Sequence, residues 1–392
     1  METEKLYYAD PFLKEFTATV LGCEAAKGGF TVTLDRTAFY PEGGGQPCDF
    51  GTLGPAHVTD VQERCGTVFH TVDRPVEAGA TVRCQIDWAR RFDHMQQHSG
   101  EHIVSGMLCA RFHCDNVGFH LGEDLVTIDY NADIPWEALL EVETAANAYL
   151  REDHPVDIRL CRGAELQTID YRSKKEIEGD VRIVTFPGAD CCACCGTHVK
   201  SSAGVGLVKF LSVQKFRQGV RIELLCGERA RRYLSRCWEQ ARAIGQALSV
   251  KPEASFAAVE KLQSELAARK AQAAQWQVLA FEGIARQMAG RGDVLLLQPP
   301  MDAAAARRLA DAVAGECGGL AAVFAGEGTS WSYALCRHGG DVSAETKRLN
   351  AALRGRGGGR GPLSQGSVPA DRAEIEAYFA DFTKGGRQWN TF

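Results

Sequence analysis

The first 88 residues show short apolar segments that alternate with glycine turns. Hydrophobic and polar positions alternate there as in half-buried strands, most clearly in FTATVLGCE, GGFTVTLD, GTVFHTVD and ATVRCQID. Several short strands at such regular spacing, each bounded by turn residues, favour a small barrel. We therefore predict a glycine-rich β-barrel domain over residues 1–88.

Residues 89–227 mix helical and strand patterns. The segment QQHSGEHIVSGML carries apolar residues at helical spacing, and a strand at LVTIDY and a helix that begins near Asp133 follow it. Four later segments read as strands: VDIRLC, VRIVTF, VGLVKFLSV and VRIELL. The pattern predicts a domain of mixed helices and strands.

Two further regions complete a predicted α+β chain. Residues 228–290 favour a helical hairpin or coiled-coil arm, with its turn near Ser249 to Pro252. The apolar seam of this arm follows three- and four-residue steps through Val259, Leu262, Leu266, Ala273, Trp276 and Ala280. Residues 291–392 alternate strand patterns such as VLLLQ and SWSYALC with helical ones, which indicates a C-terminal α/β globular domain.

The composition is that of a multidomain protein with sizeable apolar cores. The chain has 392 residues, 45% of them hydrophobic, and at about 100 to 200 residues per domain this implies two to four domains. No run of 18 apolar residues occurs and METEKLYYADPF lacks a signal-peptide core, so we expect a cytoplasmic protein without membrane association. The 15 scattered cysteines favour free thiols and metal binding. A net charge of −6 means that any nucleic acid must be held by local basic surfaces.

Two short motifs each place a pair of metal-binding side chains four residues apart. His98 and His102 lie in a predicted helix, where this spacing puts both imidazoles on one face. Cys194 and His198 end a cysteine run in ADCCACCGTHVKSSAGVG, a turn-rich segment between two strand patterns. Three imidazoles and one thiolate form a ligand set that zinc accepts in tetrahedral geometry. We therefore predict one Zn²⁺ per chain.

The cysteine run leaves other arrangements open. Two Cys-x-x-Cys spacings, Cys191 with Cys194 and Cys192 with Cys195, allow an all-sulfur metal site or a redox dithiol. Both would leave the paired histidines without a role, which favours the mixed ligand set. For the first motif alone, two histidines on a packed helix face are the plain alternative.

These motifs resemble the editing domain of alanyl-tRNA synthetase and its free-standing AlaX-type relatives. The resemblance rests on the two histidines of the helix, the Cys-x-Gly-Thr-His element that ends at His198, and TAFYPEGGGQPCDFGTL near the N terminus. The tail GRGGGRGPLSQGSV at 355–368 is similar to the glycine-rich loop of the synthetase's C-terminal domain. The order of barrel, editing domain, arm and C-terminal domain is that of the long AlaX form. Cys195 stands where many relatives carry glycine, so a Cys195 pairing with His198 also stays open.

The resemblance implies a hydrolase that deacylates mischarged tRNA(Ala) in trans. A chain of this length that starts at the barrel has no room for an aminoacylation domain and its ATP site. Serine is the expected misacylated amino acid, and glycine is the second candidate. The resemblance places Thr37 at the amino-acid pocket and makes Gln46, which ends the run Gly43-Gly44-Gly45, the second pocket candidate. A strand threonine bonded to a backbone carbonyl and a simple glycine turn are their plain alternatives.

Glu101 gives the helix a second interpretation. His98-x-x-Glu101-His102 is the inverzincin metallopeptidase pattern, in which the glutamate is the general base. A peptidase would not need the Cys-x-x-x-His half, so this function is the alternative rather than the main prediction. In the editing interpretation Glu101 assists a water molecule, and a solvated helix glutamate is its plain alternative.

A binding module without hydrolysis is the third interpretation, with zinc as a structural element. Arg354, Arg356 and Arg360 alternate with glycines in the tail, and guanidinium groups on a glycine backbone suit phosphate contacts. By resemblance, the C-terminal domain binds tRNA or forms a homodimer. We predict these three arginines as tRNA contacts, although charged residues are often only a solvated surface.

Overall fold

The computed structural model describes residues 2–173, 179–383 and 389–392. They form two compact units, the first reaching to Gln246 and the second running from Ala247 to Phe392. Helices and several separate sheets are present, which confirms the mixed α+β class. Within the described ranges, no helix is both long enough and apolar enough to cross a membrane.

The N-terminal region consists of short strands and one helical turn. They are β1 (Glu4–Lys5), α1 (Leu6–Ala9), β2 (Glu15–Ala26), β3 (Gly29–Leu34), β4 (Arg36–Thr37), β5 (Gly51–Leu53), β6 (Ala56–Arg64), β7 (Thr67–Val72) and β8 (Thr81–Ile86). Six of them close a barrel in the order β2-β3-β7-β6-β5-β8, while β1 pairs with β4. Alternate side chains fill the interior, as in β8, where Val82, Cys84 and Ile86 are buried.

A long helix and two antiparallel sheets follow the barrel. The elements are α2 (Trp88–Phe112), β9 (Asn116–Leu121), β10 (Val126–Tyr130), α3 (Trp136–Glu152), β11 (Asp157–Cys161), β12 (Val181–Phe186), β13 (Asp190–Ala193), β14 (Val208–Phe216) and β15 (Gly219–Cys226), with 3₁₀ turns at Gly163–Thr168 and Ser202–Val205. The sheet orders are β14-β15-β10-β9 and β11-β12-β13. The predicted stripe of α2 packs into this core, because Ile103, Val104 and Leu108 are all buried there.

Arg91, in the first turn of α2, ties this helix to the barrel region. Its guanidinium is fully buried and forms an ion pair with the equally buried Asp49. It also donates to the carbonyl oxygens of Pro11 at 2.7 Å and Ala38 at 2.5 Å. The Asp49 carboxylate in turn accepts the backbone N–H of Tyr40 at 2.6 Å. The start of the metal-site helix is therefore fixed to the segment that leads into the glycine run.

Two long helices occupy the predicted arm. They are α4 (Gly227–Ala247) and α5 (Ser255–Gln287), and a 3₁₀ turn at Pro252–Ala254 lies between them, close to the predicted turn. The first belongs almost wholly to the first compact unit and the second to the other unit. On α5 the predicted seam residues Leu262, Leu266 and Trp276 are exposed. Pairing of the two helices as a hairpin stays a prediction.

The second unit is built on a six-stranded sheet. Its elements are β16 (Gly292–Gln298), α6 (Ala303–Cys317), β17 (Gly318–Glu327), β18 (Ser330–Cys336), α7 (Ser343–Ala352), β19 (Arg356–Gly358), β20 (Leu363–Val368), α8 (Arg372–Thr383) and β21 (Trp389–Thr391). The strand order is β19-β20-β18-β17-β16-β21. The glycine-rich tail is a strand pair rather than an open loop. A Cβ atom at Gly357 would lie 2.3 Å from the carbonyl oxygen of Gln365, so only glycine fits there.

Candidate metal centre

Helix α2 presents His98 and His102 one turn apart on its buried face. Both side chains are almost fully buried, and their ring centroids lie 5.2 Å apart. Gly100, between them, lets the helix approach β15, because a Cβ atom there would lie 2.2 Å from the Cys226 sulfur. The helix therefore holds the two imidazoles in a fixed position against the core of the domain.

The segment after β13 brings the second pair of side chains to the same point. The Cys194 sulfur lies 3.4 Å from Nε2 of His98 and 3.4 Å from Nε2 of His198. Together with His102, all four ligand atoms lie within 4.8 Å of one another. Zinc bonds of about 2.3 Å to sulfur and 2.0 Å to nitrogen at tetrahedral angles would hold these atoms roughly 3.5 Å apart. The structure thus brings the four predicted ligands together, and the two sulfur-to-nitrogen distances match tetrahedral coordination of one metal ion.

The other ring nitrogen of each histidine already has a partner. The three pairs are His98 Nδ1 with Gln46 Oε1 at 2.9 Å, His102 Nδ1 with Asp190 Oδ2 at 2.8 Å, and His198 Nδ1 with Ser99 Oγ at 3.1 Å. When Nδ1 donates its proton to such a partner, the lone pair of Nε2 points at the common centre. This outer set of acceptors is the usual arrangement around metal-bound histidines. The donor chemistry therefore fits a bound metal ion.

The protonation states of the four side chains are coupled. Burial lowers the pKa of His198 to about 3, which keeps its ring neutral. Burial would also lower the pKa of His102, but Cys194 and Asp190 outweigh it and hold this pKa well above the usual imidazole value. Burial by itself would raise the pKa of Cys194, but the imidazoles of His98 and His198 outweigh it and hold this pKa well below the usual thiol value. Metal ligands must be neutral imidazole and thiolate, so the thiolate is favoured and the proton of His102 must leave when a cation binds.

Gln46 supports the metal centre and does not line the cavity beside it. Its side-chain oxygen accepts from His98 Nδ1 and from the backbone N–H of Thr197 at 3.1 Å, while its nitrogen donates to the Thr197 hydroxyl at 2.9 Å. Both polar atoms of this buried amide have partners within the protein, and its role at the amino-acid pocket stays a prediction. Glycine at position 196 leaves room for the ring of His98, because a Cβ atom there would lie 2.2 Å from Cε1 of His98.

A cavity of about 500 Å³ opens beside the four ligands. The residues that line it are Gly44, Gly45, His98, Glu101, His102, Phe119, Arg172, Ser173, Cys192, Ala193, Cys194 and Cys195. This volume is in the range of small-molecule sites and exceeds what one small amino acid fills. Phe119 stacks on the ring of His98 with centroids 5.0 Å apart. Gly45 approaches Phe119 so closely that a Cβ atom would lie 2.6 Å from its ring, so the glycine run forms a turn and also makes a close approach.

Glu101 is buried at the wall of this cavity and is not a solvated helix residue. Its Oε1 atom accepts from the Asn116 amide at 2.6 Å and from the Ser105 hydroxyl at 2.7 Å. The Ser105 hydroxyl in turn lies 2.7 Å from the hydroxyl of the buried Tyr130. A network of this kind fixes the rotamer of the carboxylate.

Thr37 lies within the barrel region and is not among the residues that line the cavity. Its hydroxyl is completely buried, 2.9 Å from His70 Nε2, and accepts the backbone N–H of Phe39 at 3.1 Å. His70 Nδ1 faces the carbonyl oxygen of Val32, so the threonine is the donor to Nε2. The role of Thr37 in selectivity stays a prediction.

Two residues that the sequence analysis did not single out complete the site. Asp190 accepts from His102 and also forms a two-pronged ion pair with Arg172, at 2.7 and 2.9 Å. Burial would raise the pKa of Asp190, but the hydrogen bonds from His102 and Arg172 outweigh it and hold the pKa below the usual carboxyl value. The sequence offers one signal for Asp190, which is its position directly before the cysteine run. It offers no signal for Arg172, because no motif surrounds this residue.

The tail arginines differ in their surroundings. Arg354 is tied to Glu374 by an ion pair of 2.9 Å and donates to the Pro369 carbonyl oxygen. Arg356 and Arg360 are exposed and have no polar partner among the described residues. These two are therefore the better placed of the three for a phosphate contact.

Comparison with known protein families indicates the class of protein to which this chain is similar. The family model described as "Threonyl and Alanyl tRNA synthetase second additional domain" matches residues 181–223, and "tRNA synthetases class II (A)" matches residues 7–90. The matched segments, which include Cys194 and His198, are therefore similar to domains of the class II and the threonyl and alanyl tRNA synthetases. All 15 cysteines, each within the described ranges, carry free thiols, as predicted.

The relatives then give the family. Alanyl-tRNA editing protein Aarsd1-A of Xenopus laevis is 30% identical over 94% of this chain and 95% of its own length. Alanyl-tRNA editing protein AlaX-L of Pyrococcus horikoshii is 33% identical over 67% of each chain. Alanine--tRNA ligase of Pyrococcus abyssi is 38% identical over 64% of this chain and 29% of its own. The chain belongs to the family of alanyl-tRNA editing proteins.

Proposed function

We propose that this protein is a trans-editing hydrolase that removes serine, and secondarily glycine, from mischarged tRNA(Ala). The observation that carries the proposal is the cavity next to the four converging ligand atoms, with Glu101 and Arg172 on its wall. The printed names of the relatives, alanyl-tRNA editing proteins, support the choice of tRNA(Ala). The acylated 3′ end of a tRNA is a flexible single strand that a cavity of this size can receive.

Zn²⁺ is the ion we propose for the site, because three imidazoles and one thiolate form a tetrahedral set of the type that zinc prefers. When bound, it would supply Lewis acidity, either to polarise the ester carbonyl or to lower the pKa of a nearby water molecule. The four residues His98, His102, Cys194 and His198 would hold it. Four protein ligands form a closed set, so a carbonyl or water would reach the ion only by five-coordination or by release of one ligand. No observation in the described residues favours the inverzincin peptidase function.

The remaining side chains position the ligands and the substrate. Gln46, Asp190 and Ser99 each fix one imidazole, so that the Nε2 atoms keep their direction. Phe119 covers the ring of His98 and forms an apolar wall that limits the access of water. The outward edge of the Arg172 guanidinium, beyond its bonds to Asp190, is suited to a phosphate or carbonyl oxygen of the terminal nucleotide.

Selectivity for serine over alanine requires a partner for one hydroxyl group. A site that hydrogen-bonds this hydroxyl can prefer serine strongly, whereas a merely small pocket cannot. Thr37 is the candidate that the family resemblance supplies, and it would have to act from behind the cavity wall.

We also propose that residues 89–227 form the editing domain and that Arg356 and Arg360 in 291–392 contribute to tRNA binding.

The test is single-turnover deacylation of seryl-, glycyl- and alanyl-tRNA(Ala) by zinc-loaded and by chelated protein. We expect rapid zinc-dependent loss of serine, slower loss of glycine and retention of alanine. His98→Ala should abolish the reaction and release zinc, while His57→Ala, at an exposed barrel histidine, should change neither. Full activity of His98→Ala, or hydrolysis that is equal for all three esters, would contradict the proposal. Tight tRNA binding without hydrolysis would favour a non-catalytic binding module.

A further inference from the structure

The carboxylate of Glu101 uses only one of its oxygens for contacts within the protein. Both donors, the Asn116 amide and the Ser105 hydroxyl, converge on Oε1. Oε2 has no hydrogen-bond partner among the described residues. It is not among the fully buried polar atoms without a partner, so it keeps some accessible surface. Glu101 lines the cavity and its Oε1 is engaged within the protein, which leaves Oε2 as the oxygen available to a ligand there.

This carboxylate also forms no ion pair in the described part of the chain. Arg172 on the same cavity wall attracts it electrostatically, but the hydrogen bonds of Arg172 go to Asp190. The Glu101 side chain is only 3% exposed, so water solvates it poorly. A buried carboxylate with one committed oxygen and one free oxygen has its strongest interaction with a cation that enters the cavity.

The position of Glu101 on α2 relates it directly to the metal ligands. It lies three residues after His98, so these two side chains are neighbours on the surface of the helix, as are His98 and His102. In an aminoacyl ester, the α-nitrogen is separated from the carbonyl carbon by a single atom. A carbonyl group placed beside the four ligand side chains would therefore bring the α-ammonium group close to the neighbouring wall of the cavity.

We propose that Oε2 of Glu101 binds the α-ammonium group of the aminoacyl ester, and that the site thereby requires a free amino group. The proposal rests on the deacylase function proposed above and assigns Glu101 a substrate-binding role. It differs from a general-base role, which would serve esters with and without an amino group equally.

The test compares two esters of tRNA(Ala) that differ in one group. The first carries serine, and the second carries the matching α-hydroxy acid, in which a neutral hydroxyl of similar size replaces the ammonium group. A hydrogen bond to a charged group predicts that the wild-type protein prefers the seryl ester roughly 10- to 100-fold in kcat/KM. Glu101→Gln keeps the acceptor for Asn116 and Ser105, and it should reduce this preference to about threefold or less. Glu137→Gln, at an exposed position in the first turn of α3, is the matched control and should keep the full preference.

A binding measurement separates this proposal from the proposed function. The probe is the non-hydrolysable amide analogue 3′-deoxy-3′-(L-serylamino)adenosine. It should bind the zinc-loaded wild-type protein more tightly than its N-acetylated form does. The zinc-loaded Glu101→Gln variant should bind the two forms with about equal affinity. Equal wild-type kcat/KM for the seryl and α-hydroxy esters would overturn the ammonium role and leave the deacylase intact. A preference that survives unchanged in Glu101→Gln would also overturn it. No hydrolysis of either ester by wild-type protein would overturn the function and this inference together.

Discussion

Replacing Gln46 with leucine should weaken zinc binding although no metal ligand is removed. The amide of Gln46 accepts from His98 Nδ1 and the Thr197 N–H, and it donates to the Thr197 hydroxyl. Leucine has a similar volume but no polar atoms, so all three hydrogen bonds are lost. Two buried donors, one on the metal-bound imidazole, would then stay without a partner.

The magnitude follows from these contacts. Loss of the outer partner of a metal-bound histidine typically lowers metal affinity 10- to 100-fold, which is about 1.4 to 2.7 kcal/mol. Each buried donor without a partner costs about 1 to 3 kcal/mol, so two of them should lower the free energy of unfolding by about 2 to 6 kcal/mol. The effect on affinity is the more specific of the two, because any poorly packed variant loses stability.

Competition with a chromophoric chelator gives the zinc dissociation constant of each variant. Gln46→Leu should raise it 10- to 100-fold, and Gln46→Glu, which retains an acceptor for His98 Nδ1, should raise it less. Gln85→Leu changes an exposed glutamine of the same barrel and should leave the constant unchanged. An affinity of Gln46→Leu within twofold of wild type, in protein with an unaltered far-ultraviolet circular dichroism spectrum, would refute the reasoning.

Three further predictions concern other parts of the chain. Gly196→Ala should lower zinc affinity at least tenfold, because its methyl group would displace the ring of His98; unchanged metal content after dialysis would argue against the close approach. Thr37→Val leaves the buried His70 Nε2 and a backbone N–H without partners, so thermal denaturation should show a loss of about 1 to 3 kcal/mol. A fall in serine-over-alanine selectivity at unchanged stability would instead place Thr37 in contact with substrate. Reversal of Arg356 and Arg360 to glutamate should weaken tRNA binding and reduce its salt dependence; an unaffected filter-binding curve would remove the tail from the tRNA interface.

The convergence of His98, His102, Cys194 and His198 could be predicted from the sequence because their spacing encodes their geometry. His98 and His102 share a helix face by periodicity alone, and the turn-rich end of the cysteine run supplies the other pair. Their outer partners could not be predicted in this way. Gln46 lies 52 residues from His98 and Asp190 lies 88 residues from His102, so only the tertiary packing shows that these groups meet.

Local patterns likewise predict strong elements better than weak ones. The alternating strands of the N-terminal region and the stripe of α2 carry their own signal. Helix α7, with the sequence SAETKRLNAA, carries almost none, because only Thr346 and Leu349 are buried, which leaves little apolar periodicity. Strand β19 resembles an open glycine loop in the sequence, since its pairing with β20 depends on close backbone approach and not on side chains.

The buried Arg91–Asp49 pair bears on how this chain can be dissected. A fragment that ends at residue 88, where the sequence suggests a boundary, would retain Asp49 but lose the only side-chain cation paired with it among the described residues. Stranding one member of a buried pair typically costs about 3 to 5 kcal/mol, a large part of the stability of a small domain. We therefore expect a fragment that extends past residue 91, and so keeps both members of the pair, to be more stable than one that ends at residue 88.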